Sequence, residues 1–92
     1  MIEHYNSWLP KLLKVNAITL NQHVFYTDIK ARVSDRLRRH EKKHVMQYKR
    51  DGIIKFLSRY FYEYLKNRLK GMSHGKAYLN ISYEIEARKA EK

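Results

Sequence analysis

Ninety-two residues without a single cysteine make one small domain with a modest core, and they exclude disulfide staples, thiolate metal sites and a secreted cystine scaffold. A hydrophobic fraction of 43% with 13% aromatic residues excludes a disordered chain, and 20 Lys and Arg against 9 Asp and Glu give a net charge of +11 that would draw nucleic acid, an anionic membrane or an acidic protein. No apolar run approaches the roughly 18 to 20 residues of a membrane span, and Glu3, His4 and Asn6 do not fit a signal peptide, so a soluble cytoplasmic protein is expected.

From Ile2 to Val15, the spacing of Trp8, Leu9, Leu12, Leu13 and Val15 predicts a short amphipathic helix, capped by Asn6 or Ser7 with Pro10 near its first turn, serving as a lid or core cover. The β-prone runs Ala17 to Leu20 and His23 to Thr27, separated by Asn21-Gln22, predict a hairpin or a pair of short strands. After Thr27-Asp28 helical periodicity runs to Arg50 and ends at Asp51-Gly52, where Gly52 can take a left-handed conformation. Ile53 to Lys70 reads as a second helix, and its stripe of Ile53, Phe56, Leu57, Tyr60, Phe61, Tyr64, Leu65 and Leu69 is expected to be core. Gly71 ends it, Ser73 is placed to cap a short helix reaching Leu79, and Ser82 to cap a last helix from Tyr83. The fold class is therefore mainly α with a small β-hairpin or short sheet, an α+β domain over residues 1–92.

The chemistry lies in His40-Glu41-Lys42-Lys43-His44. Histidines four residues apart on a helix share one face and can bind one metal ion together, while Glu41 stands beside that ion. There it can take a proton from water and pass it to a leaving amine. At about 100° per residue, Leu37, His40, Glu41, His44, Val45, Gln47 and Tyr48 fall within roughly 160° of arc. Arg38, Arg39, Lys42, Lys43, Lys49 and Arg50 share the other side with Met46. The inward face thus carries two His and a Glu, and polar groups on a core-facing stripe require a metal, a ligand or a hydrogen-bond network.

A catalytic zinc site takes three protein ligands and keeps one position open. Beyond the second helix, Glu84 and Glu86 lie on the opening turn of the last helix, and either can be brought back against the histidines; the other would serve as a capping carboxylate.

The succession His40-Glu41-x-x-His44-Val45-x-Gln47, then Gly52, Phe56-Leu57-x-Arg59-Tyr60, Gly71-Met72-Ser73-His74 and Tyr83-Glu84-x-Glu86-Ala87 resembles the minimal gluzincin-like metallopeptidases of bacteria and their phages, from roughly Ile18 to the end of the chain. The resemblance implies a minimal zincin-like fold, Zn²⁺ held by His40, His44 and Glu84, Glu41 as catalytic base, and Glu86 orienting a ligand histidine. It also implies that a strand before the motif helix, here His23 to Thr27, holds extended substrate by strand addition. Departures from the pattern are the charged Arg39, Lys42 and Lys43, Ser82 in place of a proline, and Arg88 in place of an acid. His74 reads as a turn or cap residue with a lesser claim to donate to a reacting oxyanion, and Tyr48, Tyr60 and Tyr83 read as core, with the same donor role open to any of them lying near the site.

Two functions follow as expectations. One is a zinc-dependent metallopeptidase acting on a peptide or protein substrate. The other is a basic binding or assembly protein with an inactive zincin-like fold, such as a phage virion component, whose Arg38, Arg39, Lys42, Lys43, Lys49 and Arg50 meet nucleic acid or an acidic protein.

Overall fold

A computed structural model describes residues 1–91. In chain order it contains strand β1 (Ile2–His4), helix α1 (Trp8–Leu12), strands β2 (Ala17–Leu20) and β3 (His23–Tyr26), a single 3₁₀ turn (Lys30–Arg32), and helices α2 (Asp35–Asp51), α3 (Ile53–Leu69), α4 (His74–Leu79) and α5 (Ser82–Lys89). This is a mainly helical α+β fold with one three-stranded sheet. No helix among the described residues is long and apolar enough to cross a membrane.

The expected hairpin forms, with Asn21 turning the chain at a φ of 58° and Thr19 lying opposite Val24. The first residues do not join a helix. Ile2–His4 instead pairs parallel to β3, so the strand order is β1-β3-β2 and β3 is central. Asn6, at a φ of 51°, breaks the chain after this strand, and Ser7 then caps α1 by accepting from the Leu9 N–H. Helix α1 covers little: Pro10 is buried, but Trp8 is 71% and Leu12 68% exposed.

Helix α2 begins at Asp35, later than the expected start after Thr27-Asp28. Ile29 and Val33 are extended, and Val33 is used to pack on Val24 and Tyr26. Ser34 supplies the cap, accepting from the Leu37 N–H at 3.1 Å. At the other end Gly52 joins α2 directly to α3 with φ 85° and ψ 158°, a region open almost only to glycine. Gly52→Ala should therefore cost about 1–3 kcal/mol by chemical denaturation, although an added Cβ would meet nothing within 4 Å.

Two apolar clusters sit on either side of α2. Tyr48, Phe56, Ile81 and Tyr83 form one, backed by Leu57, Tyr60 and Tyr64; Val24, Tyr26 and Val33 form the other, backed by Tyr5, Leu37 and Val45. Ile81, fully buried, anchors the entry to α5. Ile81→Ala should lower unfolding stability by about 3 kcal/mol, read as a shift in urea midpoint.

The stripe on α3 is only half a core. Phe56 is buried and Leu57, Tyr60 and Tyr64 pack beside it, whereas Ile53, Phe61, Leu65 and Leu69 are exposed. A chain this short has too few elements to cover both sides of a 17-residue helix. Helix α5 also starts differently from expectation. Ser82 is its first residue and does not cap it; its hydroxyl and N–H both donate to Glu63 of α3, at 2.8 and 2.7 Å. Glu63 thereby ties the start of α5 to α3 and fixes the height at which Glu84 meets α2.

Candidate metal centre

His40, Glu41 and His44 project from the middle of α2 toward the first turn of α5, where Glu84 faces them. Glu41, His44 and Glu84 are buried and His40 is half-buried, as the helical wheel requires. One donor atom from each of His40, His44 and Glu84 lies within 4.8 Å of the others. Glu84 Oε1 is 2.9 Å from His40 Nε2, and Glu84 Oε2 is 3.1 Å from His44 Nε2.

Both rings are held from behind. His40 Nδ1–H donates to Glu91 Oε2 at 2.6 Å. His44 Nδ1 lies 2.8 Å from Gln47 Oε1, and the Gln47 amide nitrogen donates to the Tyr83 carbonyl and to Glu86 Oε1, both at 3.0 Å. With its nitrogen so engaged, Gln47 presents oxygen to the ring, and His44 Nδ1 must carry the hydrogen. Each imidazole is thereby left with Nε2 toward the shared position, the arrangement in which outer partners orient metal-binding histidines.

These residues fit a metal ion. Bonds of about 2.0–2.1 Å in a tetrahedral zinc site set ligand atoms about 3.3 Å apart; each Nε2 lies near that distance from one oxygen of Glu84, Oε1 for His40 and Oε2 for His44, and one donor atom from each residue lies within 4.8 Å of the others. Two imidazole nitrogens and one carboxylate oxygen are the donor set expected for a divalent ion of borderline softness.

Without metal, protons do the same work. Burial opposes charge on His40, but the hydrogen bonds it donates to Glu84 and Glu91 outweigh this and hold the imidazole protonated up to about 9. His44 is raised in the same way, against its burial, by Glu84. Burial also pushes Glu84 up, but its bonds to His40 and His44 outweigh this and keep it well below the usual carboxylate range. His40 titrates above its ordinary 6.5, so its contribution to stability is complete below that pH and is lost as pH rises to about 9. Glu84 sits below its ordinary 4.5, so its contribution is present above that pH and is lost as pH falls. Chelator-treated protein should therefore be most stable between these limits and weaken toward pH 9 in urea titrations. Affinity for a divalent metal ion should move the opposite way, rising with pH as the protons on Nε2 become easier to displace.

Glu41 is placed beside the histidines without joining them. Its Oε2 is 3.9 Å from His40 Nε2, and its Oε1 accepts from the Thr19 hydroxyl at 2.8 Å. Burial raises its pKa despite the lowering influence of His44, Thr19 and His40.

Thr19 brings the sheet edge to the site. His23–Thr27 cannot accept an added strand, because β3 is paired on both sides; β1 and β2 are the two edges, and β2, through Thr19, is the edge that borders the site. The bond from the Thr27 N–H to the Asn16 carbonyl, 2.9 Å, sets the phase of the ladder, so that the backbone groups of Ala17 and Thr19 point away from β3. The Thr19 carbonyl accepts from the Tyr48 hydroxyl at 3.1 Å. Two cavities meet along this edge. An apolar one of about 290 Å³ is lined by Leu13, Ile18, Tyr48, Phe56, Leu57 and Phe61, and a more polar one of about 590 Å³ reaches Arg32, Arg36 and Arg88. Glu41, Glu84 and Tyr78 border both.

Several contributors are invisible in the linear pattern. Glu91 and Thr19 reach the site across separations of 51 and 22 residues, with no local signal. Tyr60 donates to Glu84 Oε2 at 2.7 Å, and Tyr78 borders both cavities; burial, then Glu84, raises the pKa of each phenol, so both remain hydrogen-bond donors. Of the tyrosines expected in the core, Tyr48 and Tyr83 are buried there, and Tyr83 also donates to Asp51. His74 lies elsewhere, on the Tyr64 hydroxyl at 2.7 Å. Glu86 touches neither histidine and acts one step further out, through Gln47 and Arg50.

The basic side of α2 is less free than its sequence suggests. Arg38 lies between Tyr5, Glu3 and the Lys30 carbonyl, Arg39 donates twice to the Glu91 carbonyl, Lys43 approaches Glu86, and Arg50 holds Asp51 and Glu86. Lys42 and Lys49 have no such partner among the described residues. Comparison with protein-family models, with curated proteins and with solved structures found no match for this chain.

Proposed function

We propose that this protein is a zinc-dependent metallopeptidase of the gluzincin type, with His40, His44 and Glu84 as zinc ligands and Glu41 as general base. The observation that carries this reading is the convergence of the two Nε2 atoms on Glu84 with a buried carboxylate, Glu41, alongside and outside the ligand set. A zinc ion bound there would supply a Lewis acid that makes water acidic near neutral pH and polarises a peptide carbonyl.

The remaining chemistry belongs to the chain. Glu41 takes the proton from attacking water at its free Oε2, while Thr19 holds Oε1 and with it the plane of the carboxylate. The same oxygen then gives the proton to the departing amine. Extended substrate pairs with the outward backbone groups of Ala17 and the Thr19 N–H on the open edge of β2, which lays its backbone across the Glu41 carboxylate. Tyr78, which borders both cavities, is the donor assigned to the oxygen that gains charge on attack.

Zinc-loaded protein should cleave members of a quenched fluorescent peptide library, with cleavage abolished by a chelator and restored by added zinc. Stoichiometrically loaded protein that cleaves nothing in a broad library would count against the reading.

A further inference from the structure

The face of α3 turned away from the metal centre is apolar and uncovered. Ile54 is 83% and Leu69 89% exposed, and Phe61, Tyr62 and Leu65 are exposed between them. Along the helix Ile54, Phe61, Leu65 and Leu69 follow one another at steps of seven, four and four, with Ser58 between the first two, the spacing of a stripe that pairs with another helix. The seam is about 22 Å long. Phe56, which packs in the core, and Tyr60, which donates to Glu84, lie on the opposite side of the same helix.

The charges beside the seam have one sign. Lys55, Lys66 and Arg68 flank it, with Lys70 just past its end. The helix has one acid, Glu63, and that side chain is turned inward to Ser82 and Arg59. Packing the same face of a second copy against it would set cation against cation on a chain of net charge +11. A helix with an apolar seam and acidic flanks would instead satisfy both the seam and its border.

We propose that the outer face of α3 is a docking surface for an acidic amphipathic helix of another protein. No ligand or base projects from α3, and only Phe61, at the margin of the face, also lines the apolar cavity beside Glu41, His44 and Glu84.

The test uses the full chain and two synthetic three-heptad peptides with the same leucine seam, one flanked by Glu and the other by Lys. The Glu peptide should bind at least about tenfold more tightly than the Lys peptide, and its affinity should fall with added salt. Backbone amide shifts should concentrate at Ile54, Tyr62, Leu65 and Leu69. The exposed double substitution Leu65→Ser with Leu69→Ser should weaken binding at least about tenfold while circular dichroism and Tm stay unchanged. Lys55→Glu with Lys66→Glu, which keeps the seam, should shift preference toward the Lys peptide. Equal affinity for the two peptides, no binding, or shifts centred elsewhere would overturn the proposal. So would self-association through this face in sedimentation, or binding to phosphatidylglycerol vesicles with none to the Glu peptide.

Discussion

Glu41→Gln is expected to keep zinc at one ion per chain and to lower peptide cleavage by about 10²- to 10⁴-fold, the range that a positioned general base contributes. Glutamine has nearly the same shape, and its amide oxygen can still accept from the Thr19 hydroxyl, so the local packing survives. What is lost is the capacity to take a proton at the second oxygen, 3.9 Å from His40 Nε2. Burial makes the charged form of Glu41 costly, so its neutral replacement should not weaken the fold. The check is metal analysis and kinetics on one preparation. Zinc retained with turnover lost assigns the base; zinc lost would mean that Glu41 is a ligand; turnover retained would remove it from the chemistry.

His44→Ala should lower zinc affinity by about a thousandfold or more, since one of three ligands disappears and the binding free energy is shared among few bonds. The substitution also strips Glu84 of one of its two histidine partners and leaves Gln47 Oε1 facing a void. Gln47→Ala offers a graded comparison. It leaves all three ligands and removes only the support behind His44, an outer partner whose loss should cost about 10- to 100-fold in affinity. The ordering His44→Ala well above Gln47→Ala separates ligation from general damage. Equal losses would indicate that both act through folding alone.

The metal-site pattern was the most legible part of the chain because it is local. The i to i+4 spacing of His40 and His44 puts both on one face whatever the surroundings, and the wheel identifies that face as the buried one. A count of helix lengths and turns left Glu84 and Glu86 both open, and only the resemblance favoured Glu84; the α2–α3 junction was marked by Gly52, whose conformation excludes other residues. The contributors across long separations were not legible. A hydrogen bond from His40 to Glu91 or from Thr19 to Glu41 leaves no periodicity behind. The same holds for β1, whose three residues are a strand only because β3 offers an edge some 20 residues later.

Which strand stays open is likewise a property of the assembled sheet. The β-prone runs showed two strands, but the parallel pairing of Ile2–His4 covers the second side of β3 and removes it as the expected substrate strand, leaving β2 as the edge beside the site. On α3 the periodicity marked an apolar stripe wider than the neighbouring elements can cover, so pattern alone overstated the core there. The charged positions of α2 mislead in the other direction. Arg38, Arg39, Lys43 and Arg50 read as a solvated face, yet each finds an acceptor on a distant segment.

The metal centre itself is tested most directly by zinc titration of the full chain and of His40→Ala, His44→Ala and Glu84→Ala, combined with zinc-edge X-ray absorption on the loaded protein. One ion per chain, two imidazole nitrogens and a carboxylate in its coordination, and loss of that ion in each variant are the predicted results. An absence of stoichiometric zinc, or an ion that survives all three substitutions, would contradict it.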